Sequence, residues 1–190
     1  AKEYGTPDDV QNIPHPIIGY MGTINSTRLD GELLYQIISQ RPDYSFVFTG
    51  PEDDIFRRDR IHSLKNAYFT GQKKVDELPA YIAAYDVCIN PQMVNKITNG
   101  NYPLKIDEYL AMGKPTVATS THTMRNIFTG HTHLAINPEE WLAAIDRAVT
   151  EADDKELAKQ RIAFAETHSW GHSVKKIYEI IDSFLKKKTT

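Results

Sequence analysis

Two ionisable side chains stand three residues apart in the stretch NYPLKIDEYLAMGKPTVATS, Asn101 to Ser120. Lys105 falls in the first turn of a helix that opens beside Pro103. The backbone there already carries partial positive charge, so a carboxylate is the expected occupant and a lysine costs roughly 0.3–1 kcal/mol. An anion seated at the same point reverses that sign. Helix amides and a point charge then act together on one phosphate. Glu108 lies on the same helix face, and a carboxylate there can accept from both hydroxyls of a ribose. The same spacing fits a plain ion pair on a solvated face, and spacing alone does not separate the two.

Further candidates sit where strand-like runs end. The segment GYMGTINSTR ends a strand at Gly22 and continues through Thr23 to Arg28. A glycine turn can offer N–H groups to phosphate, and an arginine can add a bidentate contact. The segment lacks the glycine spacing of a dinucleotide fingerprint and the G-K-[ST] of a P-loop. A strand-to-loop turn with a solvated arginine explains it equally. In FTGQKKVDELP, Gly71 and Gln72 could approach a base, or Gly71 could simply turn the chain while Asp76 caps the next helix. The seven histidines form no metal-binding pattern, HTH at His131–His133 included, so no metal is expected. Trp170 reads as a packing anchor near a helix start.

These positions need a frame. Short apolar runs at Pro16–Gly22, Tyr44–Gly50, Asn66–Gly71 and Asp86–Pro91, with PTVATS and HLAI after them, read as strands. Helical stripes alternate with them: Leu33, Leu34, Ile37 and Ile38 in one, and Leu78, Ile82 and Tyr85 in another. Pro79 is compatible with the second only in its first turn. DDIFRRDRIHSL reads as a short helix, and the chain is helical from Pro138 onward. Strands apolar at consecutive positions are buried on both faces, as in a parallel sheet. The pattern predicts an α/β fold: a Rossmann-like, doubly wound parallel sheet of about six strands, helices on both faces and a helical C-terminus. In such sheets ligands bind at the carboxyl ends of the strands, where the candidates above fall.

The 190 residues suit one domain with a full core, and 41% apolar content is ordinary. A net charge of −3 gives no footprint for nucleic acid. The basic run Lys186–Lys188 reads as a solvated helix end, with contact to an anionic membrane as the alternative. Cys88 is the only cysteine, so no internal disulfide can form. It lies in an apolar run and reads as an inert core thiol. No stretch is long and apolar enough to span a bilayer, and the start AKEYGTPDDVQNIPHP has no signal-peptide pattern. Residues 1–15 read as a linker and 16–190 as the domain.

Several of these segments resemble one family. YPLKIDEYLAMGKPTVATS is similar to the P-L-K-x-x-E-Y-x-A-x-G-K-P-V-V-A segment of GT-B glycosyltransferases, group 1, family-4-like. NAYFTGQKKVDELPAYIAAYDVCINP, PIIGYMGTI and HSWGHSVKKIYEII resemble its flanking segments in order and spacing.

The resemblance implies the C-terminal half of a two-domain enzyme. That half binds a nucleotide-diphosphate sugar as donor substrate, with no further cofactor. The acceptor, a glycan or lipid-linked sugar, would bind an N-terminal domain absent from this chain. Localisation would be cytoplasmic, with peripheral contact at the inner face of the membrane. By position, Glu108 would hold the ribose, while Lys105 and the amides around Leu104 face the pyrophosphate. Gly22, Thr23 and Arg28 would meet the phosphates from the other side. Gly71, Gln72 and Lys73 would border the base. Lys105 and Arg28 would carry catalysis by stabilising the leaving diphosphate. One departure stands out: many members carry a glutamate pair spaced E-x7-E, and where Glu108 matches the second, the first falls on Gly100. A UDP-sugar epimerase-type enzyme on the same architecture, or a non-catalytic nucleotide-binding module, are the other readings. Neither the base, the sugar nor the stereochemistry is legible.

Overall fold

Each of the six apolar runs forms a strand, and every pairing between them is parallel. The structure, a computed structural model, describes residues 4–188. In chain order the strands are β1 (Ile17–Met21), β2 (Ser45–Thr49), β3 (Ala67–Gly71), β4 (Val87–Asn90), β5 (Thr116–Thr119) and β6 (His133–Ala135). They lie in the order β3-β2-β1-β4-β5-β6. That order reverses direction between β1 and β4, which opens a crevice at their carboxyl ends.

The helices are α1 (Gly31–Ser39), α2 (Leu78–Ala84), α3 (Leu104–Ala111), α4 (His122–Ile127), α5 (Pro138–Thr150), α6 (Lys155–Glu166) and α7 (Trp170–Lys188). The stripe on α1 packs with α5 residues Trp141, Leu142 and Ile145 over one sheet face, against Ile18, Phe46 and Val87. The opposite face carries Tyr81 and Ile82 of α2, Ile106, Tyr109 and Leu110 of α3, and Met124 of α4. Alternate strand residues feed the two cores, which is why the runs carry no polar alternation. Cys88 is fully buried there, and burial pushes its thiol pKa up, so it is inert as expected.

Four local expectations change. The stretch after β2 forms two 3₁₀ turns, Phe56–Arg58 and Arg60–Ser63, instead of one helix. Asp53 and Asp59 each accept from a nearby backbone N–H, of Phe56 and Ile61, and so break the stretch in two. The turn before α2 is closed by Glu77, which accepts from Lys74 N–H at 2.8 Å; Asp76 does not cap it. Pro79 does fall in the first turn. α4 was hidden because it is only six residues long; Thr121 caps it. Trp170 is 82% exposed and anchors nothing in the described body.

Residues 7–13 are less linker-like than their composition suggests. Val10 and Ile13 are buried in the second core, and Asp9 accepts from Tyr81 and Lys73. α7 reaches Lys188, but the side chains of Lys186–Lys188 lie outside the described residues, and with them the tail's proposed membrane contact. Among the described residues no helix is long and apolar enough to cross a membrane.

Candidate functional site

Three glycine turns close the carboxyl ends of β1, β2 and β3. Gly22 N–H donates to the Thr49 carbonyl at 2.9 Å, and Gly50 N–H donates to the Gly71 carbonyl at 3.0 Å. A β-carbon built on Gly50 would stand 2.0 Å from the Gly22 carbonyl oxygen. Gly22 has φ +129°, and a β-carbon there would come within 2.9 Å of Lys105 Nζ. Glycine is therefore required at both places, for backbone conformation and for close approach.

α3 meets these turns at the crevice between β1 and β4. Its N-terminus follows Pro103, and no side chain caps it. An uncapped helix start leaves N–H groups without intrahelical partners. The helix is held at its other turn by Tyr109. Met21 N–H donates to the Tyr109 hydroxyl at 2.8 Å, and that hydroxyl reaches the Met21 carbonyl at 3.3 Å. The clamp is fully buried and ties α3 directly to the end of β1.

Lys105 turns back along α3 toward β1. Its Nζ donates to the Tyr20 hydroxyl at 2.7 Å and lies 4.1 Å from the centre of the Tyr20 ring. The Tyr20 hydroxyl donates in turn to the Thr23 carbonyl at 3.0 Å. Burial lowers the Lys105 pKa to about 8; nearby Glu108 opposes the shift and Arg28 adds to it. Among the described residues Lys105 and Glu108 form no ion pair, so the helix-face salt bridge is not what places the lysine. The Glu108 pKa is raised by burial of its carboxyl, with Lys105 pulling it down and Asp107 pushing it up.

Gly22, Thr23, Arg28, Leu104 and Lys105 line one cavity of about 590 Å³ together with Tyr20, Asn25, Gln92, Asn101, Tyr102 and Pro103. The Arg28 backbone is pinned by Met93 N–H, which donates to its carbonyl at 2.8 Å. Its guanidinium is exposed at the cavity and makes no ion pair among the described residues. Two cations and an uncapped helix start thus face one space, and no carboxylate lines it. Such a wall fits an anion with several oxygens.

Other expected site residues fall elsewhere. Glu108 lies one turn along α3, outside the cavity lining; the residue as a whole is solvent-exposed, while its carboxyl is partly shielded by its neighbours. Gly71 and Gln72 stand exposed at the end of edge strand β3, two strands from the crevice. The Lys73 amine is tied to Asp9 at 2.6 Å and lies 5.2 Å from the Tyr81 ring. Sequence reasoning missed Tyr20, Asn25, Gln92, Asn101 and Tyr102. Tyr20 carried the one available signal, two residues before the glycine turn, but its strand is buried throughout and the tyrosine reads as core. His131 stacks on Phe164 and His133 pairs with Glu151 at 3.1 Å. No group of three or more His, Cys, Asp or Glu among the described residues is placed to hold a metal ion.

Comparison with known proteins gives the family and the fold. The family described as "Glycosyl transferases group 1" matches residues 15–151, well over half of the chain. The glycosyltransferase TuaH of Bacillus subtilis (strain 168), named for teichuronic acid biosynthesis, is 28% identical over 160 residues, covering 81% of this chain and 40% of TuaH. Sucrose-phosphate synthase from Thermosynechococcus elongatus shares the fold with a TM-score of 0.72 at 20% identity, over 97% of this chain and 50% of that one. Anabaena HepE, solved in complex with UDP, matches with a TM-score of 0.72 at 14% identity, over 95% of this chain and 54% of its own. The chain thus spans about half the length of these relatives, or less. At such identities the structural matches speak for the fold alone; the family match speaks for ancestry. The chain belongs to the glycosyl transferases group 1 family, and its fold fits the C-terminal domain of a GT-B glycosyltransferase.

Proposed function

We propose that this chain is the donor-binding half of a glycosyltransferase, with residues 16–190 forming the nucleotide-sugar domain. The carrying observation is the uncapped start of α3, with the Lys105 amine and the Arg28 guanidinium on the same cavity. The donor's diphosphate sits there, between the α3 amides and the Gly22–Thr23 turn. Glu108 holds the ribose, and the base extends toward Gly71, Gln72 and Lys73. HepE's complex with UDP, on the same fold, supports a nucleoside diphosphate as the ligand class.

In the reaction the bond between the anomeric carbon and the diphosphate oxygen breaks. Its electron pair leaves with the diphosphate, and an acceptor oxygen forms the new bond. The residues of this chain stabilise the departing charge: the α3 amides, Lys105 and Arg28 are donors fixed before the reaction starts. The acceptor, a glycan or lipid-linked sugar, is held by the remainder of the protein. We read the reaction as cytoplasmic, at the inner membrane face where the acceptor is lipid-linked.

Calorimetric titration with UDP, GDP and ADP tests the reading. One of the three binds the wild-type chain, and Lys105→Ala and Glu108→Ala each weaken that binding about tenfold or more. Titration curves for both variants that overlay the wild type would remove the assignment.

A further inference from the structure

Gln92 is 7% exposed and lines the cavity, and its side-chain amide makes no hydrogen bond among the described residues. A polar side chain with so little access to water gains from a partner. Elsewhere the buried unpartnered side-chain atoms are Asn90 Oδ1, Thr119 Oγ1 and Trp141 Nε1, sealed from solvent. The Gln92 amide is not among these sealed atoms: it keeps a little accessible surface, and the residue lines the cavity.

Its position is also fixed. Gln92 bridges to Leu29 across the mouth of the crevice. On either side of it, the Pro91 carbonyl accepts from Asp30 N–H at 3.1 Å and Met93 N–H donates to the Arg28 carbonyl at 2.8 Å. The loops after β1 and β4 are thereby stitched together, with this side chain between them. A site built on such a scaffold holds its groups in place before any ligand arrives.

The direction of the donor follows from the proposed place of its base. With the base toward β3 and the diphosphate at the β1–β4 crevice, the sugar lies on the far side, under the β4–α3 loop. Gln92, Asn101 and Tyr102 line the cavity there. Asn25 has already committed its Oδ1 to Thr27 N–H and Oγ1. Gly100, the position aligned with the missing first glutamate, has no side chain and does not line the cavity. An amide offers one acceptor and two donor hydrogens, which matches a hydroxyl that both gives and receives.

We infer that Gln92 is a specificity-determining residue of the donor site, its amide hydrogen-bonding a hydroxyl of the transferred sugar. The inference rests on the donor-site reading above. The test is the ratio of affinities for a nucleotide sugar and its bare nucleotide. Calorimetry on the whole chain compares UDP with its glucose, galactose and N-acetylglucosamine esters, and the best-bound sugar is carried forward. Gln92→Met conserves volume, and Gln92→Glu conserves shape while removing the N–H donors. In both variants the ratio of sugar-nucleotide to UDP affinity falls about three- to tenfold, the range of one hydrogen bond. A ratio unchanged in both, or equal losses for both ligands, overturns the assignment while leaving the donor site standing. A wild-type chain that binds neither UDP, GDP nor ADP removes the donor site itself, and this inference with it.

Discussion

Lys105 is held against its own preference. A lysine at a helix start, short of water, is in a poor place for charge, and its amine is lowered to about 8 from 10.5, chiefly by burial. The linkage follows: below pH 8 both folded and unfolded chains hold the proton, and the fold bears the full cost. Between about 8 and 10.5 the unfolded chain still holds it, so stability rises with pH through that window. Lys105→Met removes the cost. Discounted for the open cavity and the lost Tyr20 bond, the gain at pH 7 is about 1–2 kcal/mol, or roughly 2–6 °C in Tm. The same variant loses nucleoside diphosphate affinity, and the wild type's decline in affinity above pH 8 is absent from it. Scanning calorimetry and titration across pH 6–10 read both effects. A Tm that falls would mean the lysine serves stability instead of ligand binding. Tyr20 is the positioning residue: Tyr20→Phe keeps the ring under the amine but drops the phenol, and UDP affinity falls about three- to tenfold with little change in Tm. Of this pair only the lysine was legible. A charge at the wrong helix end shows in sequence, whereas a tyrosine in a strand buried on both faces looks like packing.

At the scale of elements, the site depends on how tightly α3 is locked to β1. Tyr109 lies one turn beyond Lys105, and its hydroxyl takes the Met21 N–H at 2.8 Å in a fully buried setting. Tyr109→Phe leaves that N–H unpaired, which costs about 1–3 kcal/mol. The expected loss is roughly 2–10 °C in Tm, with weaker UDP binding because the helix start can then shift. Unaltered thermal unfolding would show that the core, not the clamp, fixes the helix. The strands and the long helices were legible because their apolar periods are strong, and the order of β and α runs implied a doubly wound parallel sheet. What sequence missed was decided by short-range competition: aspartates splitting the stretch after β2 into 3₁₀ turns, and Glu77 in place of Asp76 before α2. The approach of Gly50 to Gly22 was equally hidden, since it joins residues from two strands whose pairing only the fold supplies.

On the proposed function, the whole molecule supplies one half of a reaction. Its cavity offers cations and amides for a leaving group, but the residues lining it include no carboxylate or histidine to take the acceptor's proton. Sugar transfer needs that proton removed as the acceptor oxygen attacks, and general-base help of this kind contributes about 10²–10⁴-fold. The chain covers 50% of sucrose-phosphate synthase and 54% of HepE, so relatives on this fold carry roughly as much protein again. Its α7 exposes Trp170, Val174, Ile177, Tyr178, Ile180 and Ile181 along one helix. Binding and turnover should therefore separate. The chain alone is expected to bind its nucleoside diphosphate, because the proposed anion site lies within residues 20–105, yet to transfer no sugar to any acceptor. Joined to an acceptor-binding domain of the kind proposed above, it turns over, and in that longer protein Lys105→Ala lowers kcat as well as donor affinity, since the amine meets charge that grows as the bond breaks. Sugar transfer by the 190-residue chain at the rate of the longer protein would place the base among these residues and refute the division of labour.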